Sequence, residues 1–320
     1  MHAKYRNSLP QLDGRLFLTD SGLETTILFD LGIDLPHFAA FDLLRDRVSR
    51  MVVEAYYRRH LQMALARGTG FVMESATWRA HADWGPKLGY DAHALDAANR
   101  DCIAQLRGIR DRYETAATPC VISGNIGPRG DGYVAGAIMT VSEAEAYHAV
   151  QVESLDRAGV DLVTAMTLTN VPEAIGIVRA AKARQVPVVI SFTLETDGRL
   201  PAGDTLGDAI AAVDRATGDA AAYFMINCAH PTHFMGMLAE AGDWKHRIRG
   251  IRANASRMSH AELDAATELD DGDPQELGAE YAELMALLPD LAVIGGCCGT
   301  DHRHVAAAAD CCLGPQSLAA

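Results

Sequence analysis

The sequence predicts an α/β fold, a single closed parallel (β/α)8 barrel, on three observations. Short apolar runs rich in Val, Ile and Phe alternate eight times with longer Ala-rich segments of helical period. The runs end roughly 40 residues apart, the length of an ordinary strand–helix unit. No Pro/Gly/Ser-rich linker interrupts the 320 residues, so one barrel is preferred to two domains, and a doubly wound open sheet is the alternative. The domain is read as 1–320, with 1–15 as a short N-terminal extension.

In chain order, the strands are expected at 16–20, 71–75, 120–125, 162–167, 188–193, 223–228, 248–254 and 291–298. Helices are expected at 52–67, 96–113, 142–158, 171–184 and 204–217. Gly68 and Gly159 suit helix ends, and Ser142 with Glu145 reads as a capping box. The acidic stretch 262–283 reads as a solvated loop and helix. Each run is apolar until its last residues, which are Asp20, Glu74-Ser75, Asn125, Thr167, Thr193, Asn227-Cys228, Asn254 and Cys297-Cys298. Barrel enzymes carry their chemistry on the C-terminal mouths of the strands, so eight polar endings on one rim mark a site.

Charge narrows the function classes. There are 28 Lys and Arg against 42 Asp and Glu, a formal charge of −14. Such a surface repels phosphate backbones and anionic lipid, so neither nucleic acid nor a membrane is an expected partner. Neither a signal peptide nor a run of membrane-spanning length is visible, and a cytoplasmic location is expected. A homo-oligomer is compatible with this composition.

Seven cysteines, four of them in adjacent pairs, do not form a secreted disulfide framework. Cys228 ends the sixth run in MINCAHP, and Cys297 and Cys298 end the eighth in VIGGCCGT. Those two strands are next-but-one neighbours in a barrel. Three thiolates on one rim make a three-cysteine site with one coordination position open, the pattern of a catalytic zinc centre. Soft sulfur ligands favour Zn2+ over magnesium or calcium. Gly295, Gly296 and Gly299 are expected to let the backbone bend so that both adjacent sulfurs face one ion. Cys311 and Cys312 read as packing residues, and Cys102 and Cys120 as buried.

At these residues the sequence resembles the homocysteine S-methyltransferase family. GGCCGTDHRHV (295–305) looks like the family's paired zinc cysteines, and INC (226–228) like its first. GNIGPRGDGY (124–133), AGVDLVTAMT (158–167) and LTDSGLETTI (18–27) are further, weaker likenesses. The resemblance runs from about Asp20 to Val305. It implies a TIM barrel, a zinc-activated homocysteine and a substrate site near Asp20 and the strand-two to strand-four mouths. One position departs from the family. Where the family carries the Glu that binds the amino group of homocysteine, just before the Thr that ends strand four, this sequence has Met166. An ammonium left unpaired in a dry site costs on the order of several kcal/mol. Either Glu74, Asp20 or Glu24 serves instead, or the acceptor thiol lacks the amino group.

The expected activity is therefore methyl transfer from a small sulfonium or quaternary ammonium donor to a thiol, homocysteine or a relative, held on zinc by Cys228, Cys297 and Cys298. Substrate contacts are expected from Asp20, Glu24, Glu74, Asn125, Met166, Thr167 and Asn254, the last lying where the family has a substrate-contacting loop. Trp78, Trp84 and Tyr133 offer aromatic faces to an onium donor. Arg129 is set either to pair with Asp131 or to bind a carboxylate. His230, His233, His302 and His304 are expected in surface or capping roles. The alternatives are a non-catalytic thiol- or metal-binding relative and a barrel enzyme that uses zinc as a Lewis acid.

Overall fold

The computed structural model describes residues 3–240 and 242–313. Eight parallel strands close on themselves in sequence order, β1 through β8, with β8 pairing back onto β1. They are β1 Phe17–Thr19, β2 Gly70–Glu74, β3 Cys120–Ile126, β4 Leu162–Leu168, β5 Val188–Phe192, β6 Ala221–Asn227, β7 Ile248–Ala253 and β8 Val293–Gly296. The fold is the (β/α)8 TIM barrel that the sequence predicts. No described helix is long and apolar enough to cross a membrane.

The helices are α1 Leu23–Thr25, α2 Arg47–Arg67, α3 Ala92–Tyr113, α4 Val141–Ala158, α5 Val171–Ala183, α6 Leu206–Thr217, α7 Met235–Leu238, α8 His260–Ala265, α9 Pro274–Leu287 and α10 His302–Leu313. Local chemistry sets their ends. Asp46 caps α2 by accepting from the backbone of Val48 and Ser49, and left-handed Gly68 closes it. Asp91 caps α3, which therefore starts four residues earlier than its apolar period suggests. The capping box of α4 is Thr140 with Glu143, not Ser142 with Glu145. The acidic stretch 262–283 is not wholly solvated, because α9 buries its Leu277 and Tyr281. Cys312 packs against the core while Cys311 is exposed.

Alternation along each strand divides the apolar residues into two layers. Phe71, Met73, Ile122 and Ile190 face the helices, in the large outer core. Phe17, Val72, Val121, Leu162, Met166, Val189, Tyr223, Met225 and Val293 fill the barrel. The N-terminal segment completes that inner layer. Leu9 belongs to it, and Tyr5 and Leu12 pack against it. Buried Asp161 holds the segment in place by accepting from the backbone N–H of Lys4 and Tyr5, from Ile122 N–H and from the Arg110 guanidinium. The extension 1–15 therefore includes the floor of the barrel.

Candidate active site

Above the apolar layer the inward positions turn polar. Glu74, Ser123, Thr164, Ser191, Asn227 and Arg252 are all buried there. Arg252 is the organising group, a role that the sequence of strand seven does not reveal. Its Nη1 pairs with Asp20 at 2.9 Å, its Nη2 donates to Ser21 O and its Nε donates to Gly296 O. One side chain thus joins β7 to the ends of β8 and β1. Asp20 is fully engaged, since it also accepts from Thr19 Oγ1 and Tyr56 O–H.

Cys228 follows β6, and Cys297 and Cys298 follow β8. Backbone bonds fix all three. Cys228 N–H donates to Arg252 O, Cys297 N–H to Ala253 O, and Cys298 O accepts from Ala255 N–H. The three Sγ atoms lie within 4.8 Å of one another. Cys228 and Cys297 are paired as a disulfide with a Cα–Cα separation of 5.4 Å, and Cys298 Sγ stands 3.9 Å from Cys228 Sγ. A tetrahedral zinc with bonds of about 2.3 Å needs sulfurs roughly 3.8 Å apart. The backbone positions and the soft donor set fit such an ion once both bonded cysteines are reduced.

Each sulfur also faces a hydrogen-bond donor. Thr167 Oγ1 lies 3.9 Å from Cys228 Sγ, Asn227 Nδ2 3.8 Å from Cys297 Sγ, and Tyr133 O–H 3.3 Å from Cys298 Sγ. Such donors orient thiolate ligands and spread their negative charge. Burial raises the Cys298 thiol above its ordinary range, and the Tyr133 hydrogen bond works against that. Tyr133 is itself stacked on His260 at 4.1 Å, and His260 Nε2 meets Cys228 O at 2.7 Å.

The backbone here is strained where the ligands sit. Thr167 and Cys228 both have positive φ, 61° and 53°, an unfavourable region for a β-branched residue. Asn227 holds that turn, because its Oδ1 accepts from Thr167 N–H and its Nδ2 donates to Thr167 Oγ1. The glycines differ from expectation. Of Gly295, Gly296 and Gly299, only Gly299 has positive φ, 76°. Gly295 is needed for close approach instead, since a Cβ there would sit 2.7 Å from Asp20 O.

The sulfurs open onto a cavity of about 350 Å3, within the usual range for small-molecule sites. Its walls bring together Asp20, Glu24, Glu74, Asn125, Met166, Thr167, Cys228, Cys297 and Cys298. Asn254 is buried and is not part of this wall. Its N–H is bonded to Ala229 O, so it supports the turn behind the sulfurs. Asp131, Asp264, Glu268 and Asp270 add further negative charge, against Arg79 and Arg252. Burial pushes the Glu24 and Glu74 carboxyls up to about 7.

The tryptophans are not free aromatic faces. The Arg79 guanidinium lies 4.0 Å from the Trp78 ring and 3.8 Å from that of Trp84. Arg79 also donates to Gly130 O and has an unpartnered, buried Nε. Phe29 and Phe38, each 44% exposed, provide aromatic surface on the cavity wall instead. Arg129 pairs with Asp83 rather than Asp131. His230 caps a turn by accepting from Thr232 N–H, His304 pairs with Asp301, and His233 Nε2 meets Arg257 O. His302 is near Asp301 at the start of α10.

A homocysteine S-methyltransferase family profile matches residues 17–312. Among solved structures, the homocysteine methyltransferase MmuM from Escherichia coli is similar in its metallated form, with a TM-score of 0.72 and 20% identity over 95% of this chain and 98% of that one. Its oxidized form gives the same values. Its apo form gives a TM-score of 0.66 at the same identity and coverage. At that identity these likenesses speak to the fold. No curated protein sequence matches.

Proposed function

The chain belongs to the homocysteine S-methyltransferase family and is a thiol S-methyltransferase, and from that premise we propose that it transfers a methyl group from a small sulfonium or quaternary ammonium donor to a zinc-held thiol, homocysteine or a close relative. Cys228, Cys297 and Cys298 hold the zinc. The observation that carries this reading is three sulfurs within 4.8 Å on the wall of a cavity, from two different strand ends. Bound there, zinc would keep a substrate sulfur deprotonated at neutral pH, ready to displace a methyl group.

The chain's own residues do the rest. Thr167, Asn227 and Tyr133 hold the three ligand sulfurs in place. The acidic wall attracts a cationic donor, and Phe29 and Phe38 offer it cation–π contact. Arg79, with Nε–H unengaged, supplies the countercharge for a substrate carboxylate. The narrow cavity aligns donor and acceptor and limits water. On this reading the protein works as a single domain in the cytoplasm, where its thiols stay reduced.

Metal analysis of reduced protein should find about one zinc per chain. Cys298→Ser should lose the metal and lower methyl transfer to homocysteine at least a hundredfold, since losing even a ligand's hydrogen-bond partner costs about 10–100-fold. An unchanged zinc content in that variant rejects the assignment.

A further inference from the structure

Strand β2 presents a carboxylate that the protein satisfies only in part, through the Ser123 and Thr164 hydroxyls. Glu74 faces into the barrel on the same side as Val72, and it is 4% exposed. Its Oε2 has no hydrogen-bond partner. Arg252 opposes the charge only from a distance, because its guanidinium is bonded to Asp20, Ser21 and Gly296. On the neighbouring strand, Asn125 Oδ1 is also buried without a donor. The two residues are locked side by side. Glu74 is in register with Ser123, and Ser75 Oγ accepts from Asn125 N–H. Both line the cavity, as does apolar Met166.

Two buried acceptors side by side suit a ligand that brings several hydrogen-bond donors, and the negative carboxylate favours a cationic one. A sulfonium or quaternary ammonium has none, whereas a primary ammonium has three. Asp20 is already paired with Arg252, and neither of its oxygens is bare. Glu24 shares the effect of burial, but its side chain is partly accessible and neither of its oxygens is buried without a partner. We propose that Glu74, with Asn125 Oδ1, binds the primary ammonium of an amino-acid thiol, so that amino-group recognition sits on β2 and β3 instead of at Met166 on β4. The substrate class is therefore an α-amino thiol acid rather than its deamino relative. This rests on the methyl-transfer reading above.

The test uses zinc-loaded full-length protein and two acceptors, homocysteine and 4-sulfanylbutanoate, which lacks the amino group. Calorimetric binding and KM are measured for wild type, Glu74→Gln and the double variant Glu74→Gln/Met166→Glu. Glu74→Gln should weaken homocysteine at least tenfold and leave 4-sulfanylbutanoate within about twofold. The double variant should recover the preference for homocysteine, which a misfolded site could not do. Equal weakening of both thiols overturns the proposal, as does an unchanged homocysteine affinity. A shift confined to an amino-acid sulfonium donor overturns the assignment to the acceptor. Binding is read without turnover, so a protein that discriminates the two thiols through Glu74 yet methylates neither would reject the proposed function and leave this inference standing.

Discussion

The two mouths of the barrel are built to opposite rules. At the N-terminal mouth, Leu9, Tyr5 and Leu12 pack onto the inner apolar layer, and Asp161 has both oxygens engaged, one by Lys4 and Tyr5 and the other by Ile122 and Arg110. At the C-terminal mouth, Glu74 and Asn125 keep bare oxygens, Thr167 and Cys228 take strained backbone, and acidic groups crowd one cavity. The same strands thus end satisfied on one side and unsatisfied on the other. Stability is concentrated at the first mouth, and the second gives some of it up for binding.

Removing Asp161 tests the stable end most severely. Asp161→Ala leaves Arg110 buried and unpaired, and breaking a buried pair in this way costs about 3–5 kcal/mol. Denaturant unfolding should show that loss, while kcat/KM of the protein that remains folded stays near wild type. A drop in kcat/KM without a loss of stability would erase the division between the mouths.

Glu74 gives the reverse case. Its carboxyl sits at about 7 against an ordinary 4.5, so the folded state binds that proton more tightly than the unfolded chain. The resulting stability is full below pH 4.5 and is lost as pH rises through 7, about 3 kcal/mol in all. Without ligand, Glu74→Gln should match wild type near pH 4.5 and exceed it by up to about 3 kcal/mol at pH 8. Denaturant midpoints at the two pH values check this, and equal differences at both would remove Glu74 as a strained group.

Thr167→Gly should move stability least. It releases about 1 kcal/mol of left-handed strain and forfeits a hydrogen bond to Asn227 of similar worth. The net change should lie within about 1 kcal/mol, with metal affinity falling severalfold as Cys228 loses its donor. Titration with a zinc chelator would register that fall. An unaltered zinc affinity would make the turn merely structural.

Much of this architecture is legible in the sequence because it is local. Apolar alternation marks the strands, glycines and caps mark helix ends, and the two cysteine clusters fall at strand ends whatever the loops do. The acidic groups at the mouths are visible for the same reason. What escapes detection depends on partners distant in sequence. Arg252 interrupts the apolar pattern of IRGIRAN and finds its partner Asp20 only when β1 and β7 flank β8. The tryptophans look like open aromatic faces until Arg79 folds between them. Residues 5–12 carry no strand or helix period of length, so only the closed barrel reveals where their apolar side chains go.

That last segment has a consequence for how the molecule is made. Gln11 reaches Tyr223, 212 positions later in the chain. Residues 5–12 are synthesised before β6, and the Gln11 contact forms only once β6 has followed, at about 5–20 residues per second. Tyr5 meets Glu114, Asp161 and the inner residues of β2, β3 and β4 sooner, so the segment can dock in stages. The floor of the barrel is thus finished only after strands far along the chain have been made.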